Sequence, residues 1–116
     1  MEFKQTKTIS LQLADTICEN ILKEIWSSGS RIPSVREYAL SVKVNPNTIV
    51  RTYSYLEEMG IISKKRGIGY FVNNKAKSII IRNKKEEFLM KQLPDFFKSI
   101  NLLNIRWEDI SNDYNT

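Results

Sequence analysis

Residues 32–72 read IPSVREYALSVKVNPNTIVRTYSYLEEMGIISKKRGIGYFV, and two helix starts and a hairpin follow one another in this stretch. The first start is a capping box, in which the hydroxyl of Ser34 accepts from the backbone N–H of Glu37 and the Glu37 carboxylate accepts from the backbone N–H of Ser34. A helix is therefore predicted from Ser34 to about Lys43, with Arg36 near its exposed first turn.

The second start is Asn45 followed by Pro46, because an Asn side chain caps a free N–H and Pro has none to cap. The helix predicted over residues 46–59 ends before Gly60, which suits the left-handed position after a helix. A turn of about three or four residues between two helices is the spacing of a helix-turn-helix.

This second helix has an apolar stripe and, on the opposite side, a polar face. The residues predicted for the polar face are Asn47, Thr48, Arg51, Thr52 and Tyr55. Such groups hydrogen-bond to base edges and phosphates in a major groove, but every surface helix also has a solvated face. The helix by itself leaves both interpretations open.

A basic hairpin follows and favours the first interpretation. Residues 61–64 and 70–72 are predicted strands, and the turn between them contains Gly67 and Gly69, which take positive φ without strain. The tip carries three successive cations, Lys64, Lys65 and Arg66. Cations in a row would lie along a phosphate backbone. Helix, turn, helix and hairpin in this order predict a winged helix-turn-helix, mainly α with a small β wing at residues 64–69.

Length and charge agree with a polyanionic partner. The 116 residues carry a formal net charge of +5, and residues 31–66 hold seven Lys or Arg against three Glu, a net +4. A chain of this length forms one compact domain, or a small domain with an appendage. Most of the surplus positive charge is therefore expected on the winged helix.

The sequence offers few residues suited to catalysis or to metal binding. The chain has no His, and its one Cys, Cys18, lies among Leu13, Ile17 and Ile21 at helical spacing, so it is predicted to be a small buried hydrophobe rather than a reactive thiol. No catalytic residue, metal site or cofactor is predicted. The lack of a long apolar run and of a signal peptide predicts a soluble, cytoplasmic protein with no membrane partner.

The residues before the motif contain a predicted core helix over 10–27, closed by Ser28-Gly29. Ile32 is expected to pair with the wing as a third strand. The first eight residues, with Lys4 and Lys7, are expected to form a flexible arm.

The chain after residue 74 has helical character in three pieces. A β-branched run at Ile79–Ile81 precedes a helix predicted over 84–92, and Pro94 is expected to break or restart it. Residues 95–103 and 106–114 are two further amphipathic pieces. We therefore divide the chain into a winged helix-turn-helix domain at 1–74 and a helical tail at 75–116.

The tail carries more large apolar side chains than its short helices can bury, which is typical of a partner surface. The alternative is that the tail packs back onto the first helix of its own chain. The residues predicted for the partner surface are Phe88, Leu89, Leu93, Phe96, Phe97, Ile100 and Leu103.

Four blocks of this chain together resemble the DNA-binding domain of GntR-type bacterial transcription regulators. They are residues 29–37, 44–49, 56–62 and 66–72, in the right order and spacing. The Asn-Pro-Asn-Thr start of the second helix and the short remaining chain look most like the YtrA-type branch. The resemblance implies that the tail forms dimerisation helices.

The resemblance also implies roles for individual residues. Ser34 would face a phosphate and Arg36 would contact DNA, while Gly67 would enter or skirt the minor groove. The groove-facing and phosphate-facing set that opens the recognition helix would be Asn45, Asn47 and Thr48. Many relatives have Arg where this chain has Pro46 and Val50, so Arg51 would be a register-shifted substitute.

Together these points predict a homodimeric repressor that binds double-stranded DNA at an inverted repeat, through recognition helix 46–59 and wing 64–69. The predicted DNA-binding residues are Ser34, Arg36, Asn45, Asn47, Thr48, Arg51, Lys65, Arg66 and Gly67. One alternative is a winged-helix protein-interaction module without specific DNA binding. An enzyme is disfavoured because neighbouring carboxylates on a helix, such as Glu57-Glu58, point in different directions.

The sequence identifies no small-molecule effector. Four aromatic residues offer surface on which such a ligand could stack, but packing is the favoured role for them. They are Trp26, Tyr38, Tyr53 and Trp107.

Overall fold

The computed structural model describes residues 7–114, so most of the predicted N-terminal arm, with Lys4, lies outside the described residues. The elements in chain order are α1 Ile9–Leu22, α2 Val35–Val42, α3 Pro46–Glu58, β1 Ile62–Lys65, β2 Gly69–Val72, α4 Ala76–Glu87, a π-helical turn Phe88–Gln92, α5 Leu93–Leu102 and α6 Trp107–Tyr114. The chain divides into two compact units, one ending at Ile81 and one beginning at Arg82. The predicted class, mainly α with a small β wing, is confirmed.

The core of the first unit lies where α1 and α2 pack on α3, with the hairpin at its side. The largest fully buried side chains come from all of these parts: Ile17, Ile21, Ile49, Tyr53, Leu56, Ile61 and Val72. Burying a side chain of this size contributes about 1.5–3 kcal/mol. Cys18 is half-buried against this core. The core therefore fixes α3, the predicted recognition helix, against the rest of the unit.

The hairpin pairs β1 and β2 in antiparallel register, with Ile62 opposite Val72 and Lys65 opposite Gly69. The predicted third strand is reduced to one bridge between Arg31 and Phe71. The backbone N–H of Ile32 donates to the carbonyl of Tyr70 at 2.9 Å, which ties the segment before α2 to the wing.

The capping box at the start of α2 is present. The Ser34 hydroxyl accepts from the backbone N–H of Glu37 at 3.1 Å, and the Glu37 carboxylate accepts from the backbone N–H of Ser34 at 3.1 Å. Two hydrogen bonds to the Glu37 carboxylate hold its pKa below the ordinary value. The larger effect comes from the backbone N–H of Ser34, and the smaller from the Ser34 side chain. The helix ends where Lys43 takes a left-handed conformation, with φ of 57°. Asn45 then caps α3 by accepting from the N–H of Asn47 at 2.8 Å.

Replacing the cap, Ser34→Ala, is expected to lower the free energy of unfolding by about 1 kcal/mol. For a unit of this size that corresponds to a thermal midpoint lower by roughly 4–8 °C. Because the pKa of Glu37 is lowered in the folded chain, its share of the box is present above the ordinary carboxyl pKa. That share is lost as the pH falls through the folded pKa. The alanine variant keeps the backbone N–H that donates to Glu37, so thermal melts should show both midpoints falling in acid, and the gap between variant and wild type should not close.

The matched control is Ser54→Ala, an exposed serine within α3 that should not lower stability, since Ala is the better helix former. An equal loss in both serine variants would show that the cap is not the cause.

The first helix ends earlier than predicted. It stops at Leu22, Lys23 is its C-cap, and Glu24 takes a φ of 61°. The Glu24 carboxylate accepts from Nζ of Lys77 at 2.6 Å, an ion pair with the start of α4. The prediction that the helix continues to Ser27 is therefore wrong, and Ile25 is exposed instead of buried.

The start of the tail also differs from the prediction. The β-branched run Ile79–Ile81 lies within α4, which begins at Ala76, because Ala76 and Ile80 at i, i+4 face the core. Helical structure continues through the π turn, and Pro94 lies in the first turn of α5, so of the two predicted alternatives it restarts the helix and does not break it. The π turn is wider than an α-helical turn, because the N–H of Leu93 donates to the carbonyl of Phe88, five residues earlier. This extra width leaves room for the ring of Pro94, which follows directly.

Within residues 7–114, no helix combines the length and apolar character that crossing a membrane requires.

Candidate nucleic-acid interface

The exposed face of α3 is set by what the helix buries. Ile49, Tyr53 and Leu56 are fully buried at helical spacing. The opposite side of the first three turns is exposed and carries Asn47, Val50, Arg51, Ser54 and Tyr55. The face is therefore polar except at Val50, with one guanidinium near its middle.

Thr52 does not belong to this face, and its prediction as a groove-facing residue is wrong. It is fully buried, and its hydroxyl lies 2.9 Å from the carbonyl of Ser10 and 3.0 Å from that of Thr48. Residue 52 is three positions after Ile49 and four before Leu56, so it completes the buried stripe. Its hydroxyl is satisfied by bonding to α1 and to the preceding turn of α3.

The start of α3 presents a hydrogen-bond donor. Asn45 Oδ1 accepts the capping N–H, which leaves the Asn45 side-chain amide able to donate, whereas the Ser34 hydroxyl at the start of α2 already hydrogen-bonds to the Glu37 carboxylate. Thr48 is half-buried on the first turn of α3. The positive end of a helix dipole adds to the attraction of an anion at each start.

The main cations of this surface form no ion pair within residues 7–114. Arg36 and Arg51 are exposed and take part in none of the ion pairs there, while Arg31 lies near enough to the Glu37 carboxylate to lower its pKa. The ion pairs of residues 7–114 are Lys7 with Asp15, Lys77 with Glu24, and Arg106 with Glu108 and Asp109. The positive charge of the winged helix is therefore available to a polyanion.

The wing does not present its cations in one row, as the sequence had suggested. Successive residues of a strand point to opposite faces. Lys64 Nζ lies 5.6 Å from the ring centroid of Tyr70, and Lys65 Nζ lies 4.4 Å from that of Phe71. Lys64 and Lys65 therefore occupy different faces of the hairpin, and Arg66 follows at the exposed turn.

Glycine is required at two places in the wing. Gly67 has a φ of +77° with open space around it, so its turn, not crowding, favours Gly. Gly69 has a φ of +140°, and a Cβ there would lie 2.9 Å from Nε of Arg31. Arg31 therefore crosses the base of the wing as a further cation. Arg31 was not among the DNA-binding residues predicted from the sequence, where the only signal was its place next to Ile32.

A row of aromatic rings supports the interface from behind. Trp26 lies 5.5 Å from Tyr38, Tyr38 lies 6.2 Å from Tyr53, and Tyr53 lies 4.9 Å from Tyr70, between ring centroids. The Tyr53 hydroxyl donates to the carbonyl of Pro33 at 2.8 Å. Burial raises the pKa of Tyr53, so this hydroxyl stays protonated as a donor. One side chain of α3 thus fixes both the start of α2 and the wing.

No metal site emerges from this geometry. Among the described residues, no group of three or more Cys, Asp or Glu side chains is placed to hold a metal ion.

Known proteins resemble this chain along most of its length. Residues 9–72 match the family described as bacterial regulatory proteins, gntR family. The chain is 38% identical over 109 residues to the uncharacterized HTH-type transcriptional regulator YhcF of Bacillus subtilis, covering 94% of this chain and 88% of YhcF. It is 38% identical over 73 residues to the HTH-type transcriptional repressor YtrA of the same organism, covering 63% of this chain and 56% of YtrA.

A solved structure agrees with these matches. A transcriptional regulator of the GntR family from Bacteroides thetaiotaomicron aligns with a TM-score of 0.76 at 42% identity, covering 93% of this chain and 94% of that one. The matched proteins are regulators and not enzymes. Because the family match spans more than half of the chain and YhcF aligns with nearly all of it, the chain belongs to the GntR family of bacterial transcription regulators, with the winged helix as its DNA-binding module.

Proposed function

We propose that this chain is a homodimeric repressor that binds an inverted-repeat operator. The observation that carries the proposal is the surface around α3, where Arg36 and Arg51 are exposed and form no ion pair within residues 7–114, and where the Asn45 side-chain amide at the start of α3 can donate. A surface of this kind matches the phosphates that flank a major groove. A bacterial DNA-binding regulator acts in the cytoplasm, where the chromosome is.

In this proposal α3 enters the major groove and the wing lies over the adjacent backbone. Side chains at the helix starts contact phosphates, and side chains on the exposed face of α3 contact base edges. The proposed phosphate contacts are Ser34, Arg36, Asn45, Lys65 and Arg66. The proposed groove contacts are Asn47, Thr48 and Arg51, with Gly67 at the minor groove.

The tail supplies the proposed dimer interface. Within the unit that begins at Arg82, most of the large apolar side chains are exposed, as a surface that pairs with a second copy would be. Exposed members of the predicted set are Phe88, Leu89, Phe96, Phe97 and Leu103, while Leu93 and Ile100 are half-buried. A twofold dimer would place two recognition helices on two half-sites about one helical turn apart.

The repressor role rests on YtrA, which is named a transcriptional repressor and matches this chain over 73 residues. A dimer bound across a promoter would exclude polymerase from the same DNA. This chain spans 56% of YtrA, so the role remains part of the proposal.

Removing one interface cation at a time tests DNA binding. We expect Arg36→Ala and Lys65→Ala each to weaken binding to a duplex by about three- to tenfold at near-physiological salt. Lys65→Ala should do so on every sequence, and it should reduce the slope of log affinity against log salt by about one charge. Fluorescence anisotropy with labelled duplexes at several salt concentrations measures both quantities.

The matched control is Lys75→Ala, which removes an equal charge from an exposed site outside the proposed interface. Unchanged binding in both Arg36→Ala and Lys65→Ala, or an equal loss in the control, would contradict this placement of the DNA.

A second candidate function is a protein-interaction module, and one feature favours it. An open, mainly apolar groove of about 440 Å³ lies on the α2–α3 turn. Its lining residues are Arg36, Ala39, Leu40, Lys43, Val44 and Pro46. If this groove served a protein partner instead of lying near DNA, Leu40→Ser would abolish partner binding while Arg36→Ala left DNA affinity unchanged.

A further inference from the structure

The exposed side of α3 has an apolar edge in an otherwise polar face. Pro46 and Val50 are four residues apart and therefore neighbours on the helix surface. Both are exposed, with Val50 at 48%. Val is a poor helix former, and burial does not favour it at this position. Asn47 and Arg51 lie alongside them on the same two turns. Any base pair that meets this edge meets carbon atoms and no hydrogen-bonding group.

The chemistry of the major groove decides which base pair suits such an edge. Thymine presents a C5 methyl group there, whereas guanine presents only acceptors and cytosine an amino donor. An apolar side chain against a guanine or cytosine edge strips water from polar atoms without replacing their hydrogen bonds. Against the thymine methyl it removes apolar surface from water, which is favourable.

We propose that Val50 is a specificity-determining residue that contacts the C5 methyl of a thymine in each half-site, with Pro46 extending the contact. This inference rests on the proposed DNA binding, and it specifies one base that the protein recognises. The polar neighbours Asn47 and Arg51 then contact the adjacent bases or phosphates. An operator of this protein carries a thymine at one fixed position of each half-site.

The test removes the methyl group from the DNA and the valine from the protein. The probe is the duplex most enriched from a random pool, synthesised with deoxyuridine in place of one symmetric pair of thymidines at a time. Uracil keeps the Watson–Crick pairing and lacks only the methyl group. For wild-type protein we expect one such pair to weaken binding by about tenfold, the effect of losing two methyl contacts.

The Val50→Ala variant should bind the thymine duplex more weakly and should lose most of its discrimination between thymine and uracil at that pair. Val50 is exposed, so the variant keeps the fold, and melting curves verify this. Leu40→Ala is the control, because Leu40 is also an exposed apolar residue of the helix-turn-helix but lies on α2. It should keep the full thymine preference.

Two results would overturn the inference: uracil tolerated at every thymine of the duplex, or undiminished discrimination by Val50→Ala. Both are distinct from failure of the proposed function, in which the wild-type protein enriches no duplex from the pool and the inference falls with it.

Discussion

The double variant Phe96→Ser, Phe97→Ser is expected to be monomeric and to bind its operator at least 100-fold more weakly than wild type. Both rings are exposed on α5, with centroids 5.9 Å apart, and they form one aromatic pair on the surface of the tail. Losing this surface removes the apolar contact proposed to hold two chains together. Two linked DNA-binding modules exceed the affinity of one by a factor of about 10²–10⁴, and the monomer forfeits this gain.

Mass measured by light scattering reports the oligomeric state, and anisotropy with the operator duplex reports affinity. Serine leaves the net charge unchanged, so a loss of affinity cannot come from electrostatics. Asn101→Ala, an exposed polar position of the same helix, is the control and should remain dimeric. A double variant that stays dimeric with full affinity would remove α5 from the dimer interface.

The variant Tyr53→Ala is expected to lose about 3–5 kcal/mol of unfolding free energy, the cost of deleting a fully buried aromatic ring. The ring touches Tyr38 on α2 and Tyr70 on the wing, and its hydroxyl bonds to Pro33. Losing the ring therefore weakens the packing of α3 against α2, against the wing and against the segment before α2. Thermal unfolding followed by circular dichroism should show a midpoint lower by more than about 10 °C, or no folded baseline at all.

Tyr53→Phe separates the ring from its hydroxyl. It keeps the packing, removes the hydrogen bond to Pro33, and leaves one part-buried carbonyl without its donor. The expected loss is about 1–3 kcal/mol, well below that of the alanine variant. Tyr55→Ala, on the exposed side of the same helix, should cost less than either. Similar stability in Tyr53→Ala and Tyr55→Ala would contradict the central role of this ring.

Local signals allowed much of the fold to be predicted. The starts of α2 and α3 agree with Ser34 and Asn45 as caps, because a capping side chain and the N–H groups it satisfies lie within three residues of each other. The hairpin turn was predictable for a similar reason, since Gly67 supplies the positive φ that the turn requires.

The errors arose where distant parts of the chain decide the local structure. Beyond the end of α1, Glu24 pairs with Lys77, which is 53 residues away in the sequence and was not foreseen as its partner. The helical form of Ile79–Ile81 depends on packing against the core, which overrides the weak strand preference of β-branched residues. Thr52 was placed on the exposed face because its side chain is polar. In the folded chain it lies on the buried stripe, where its hydroxyl finds a partner in the carbonyl of Ser10 on α1.

The candidate site was predictable in its residue types but not in its geometry. The exposure of Arg36 and Arg51 follows from helical periodicity. Their freedom from ion pairs does not, because any distant carboxylate could have neutralised them. The crossing of Arg31 over Gly69 and the opposite orientations of Lys64 and Lys65 also required the folded structure.

Selection of bound duplexes from a random DNA pool at near-physiological salt, with the mass of the complex recorded, tests the proposed homodimeric repressor most directly. A homodimeric repressor should enrich an inverted repeat, with half-sites about one helical turn apart, bound by two chains. Enrichment of no sequence by a chain that still forms a dimer would contradict this proposal.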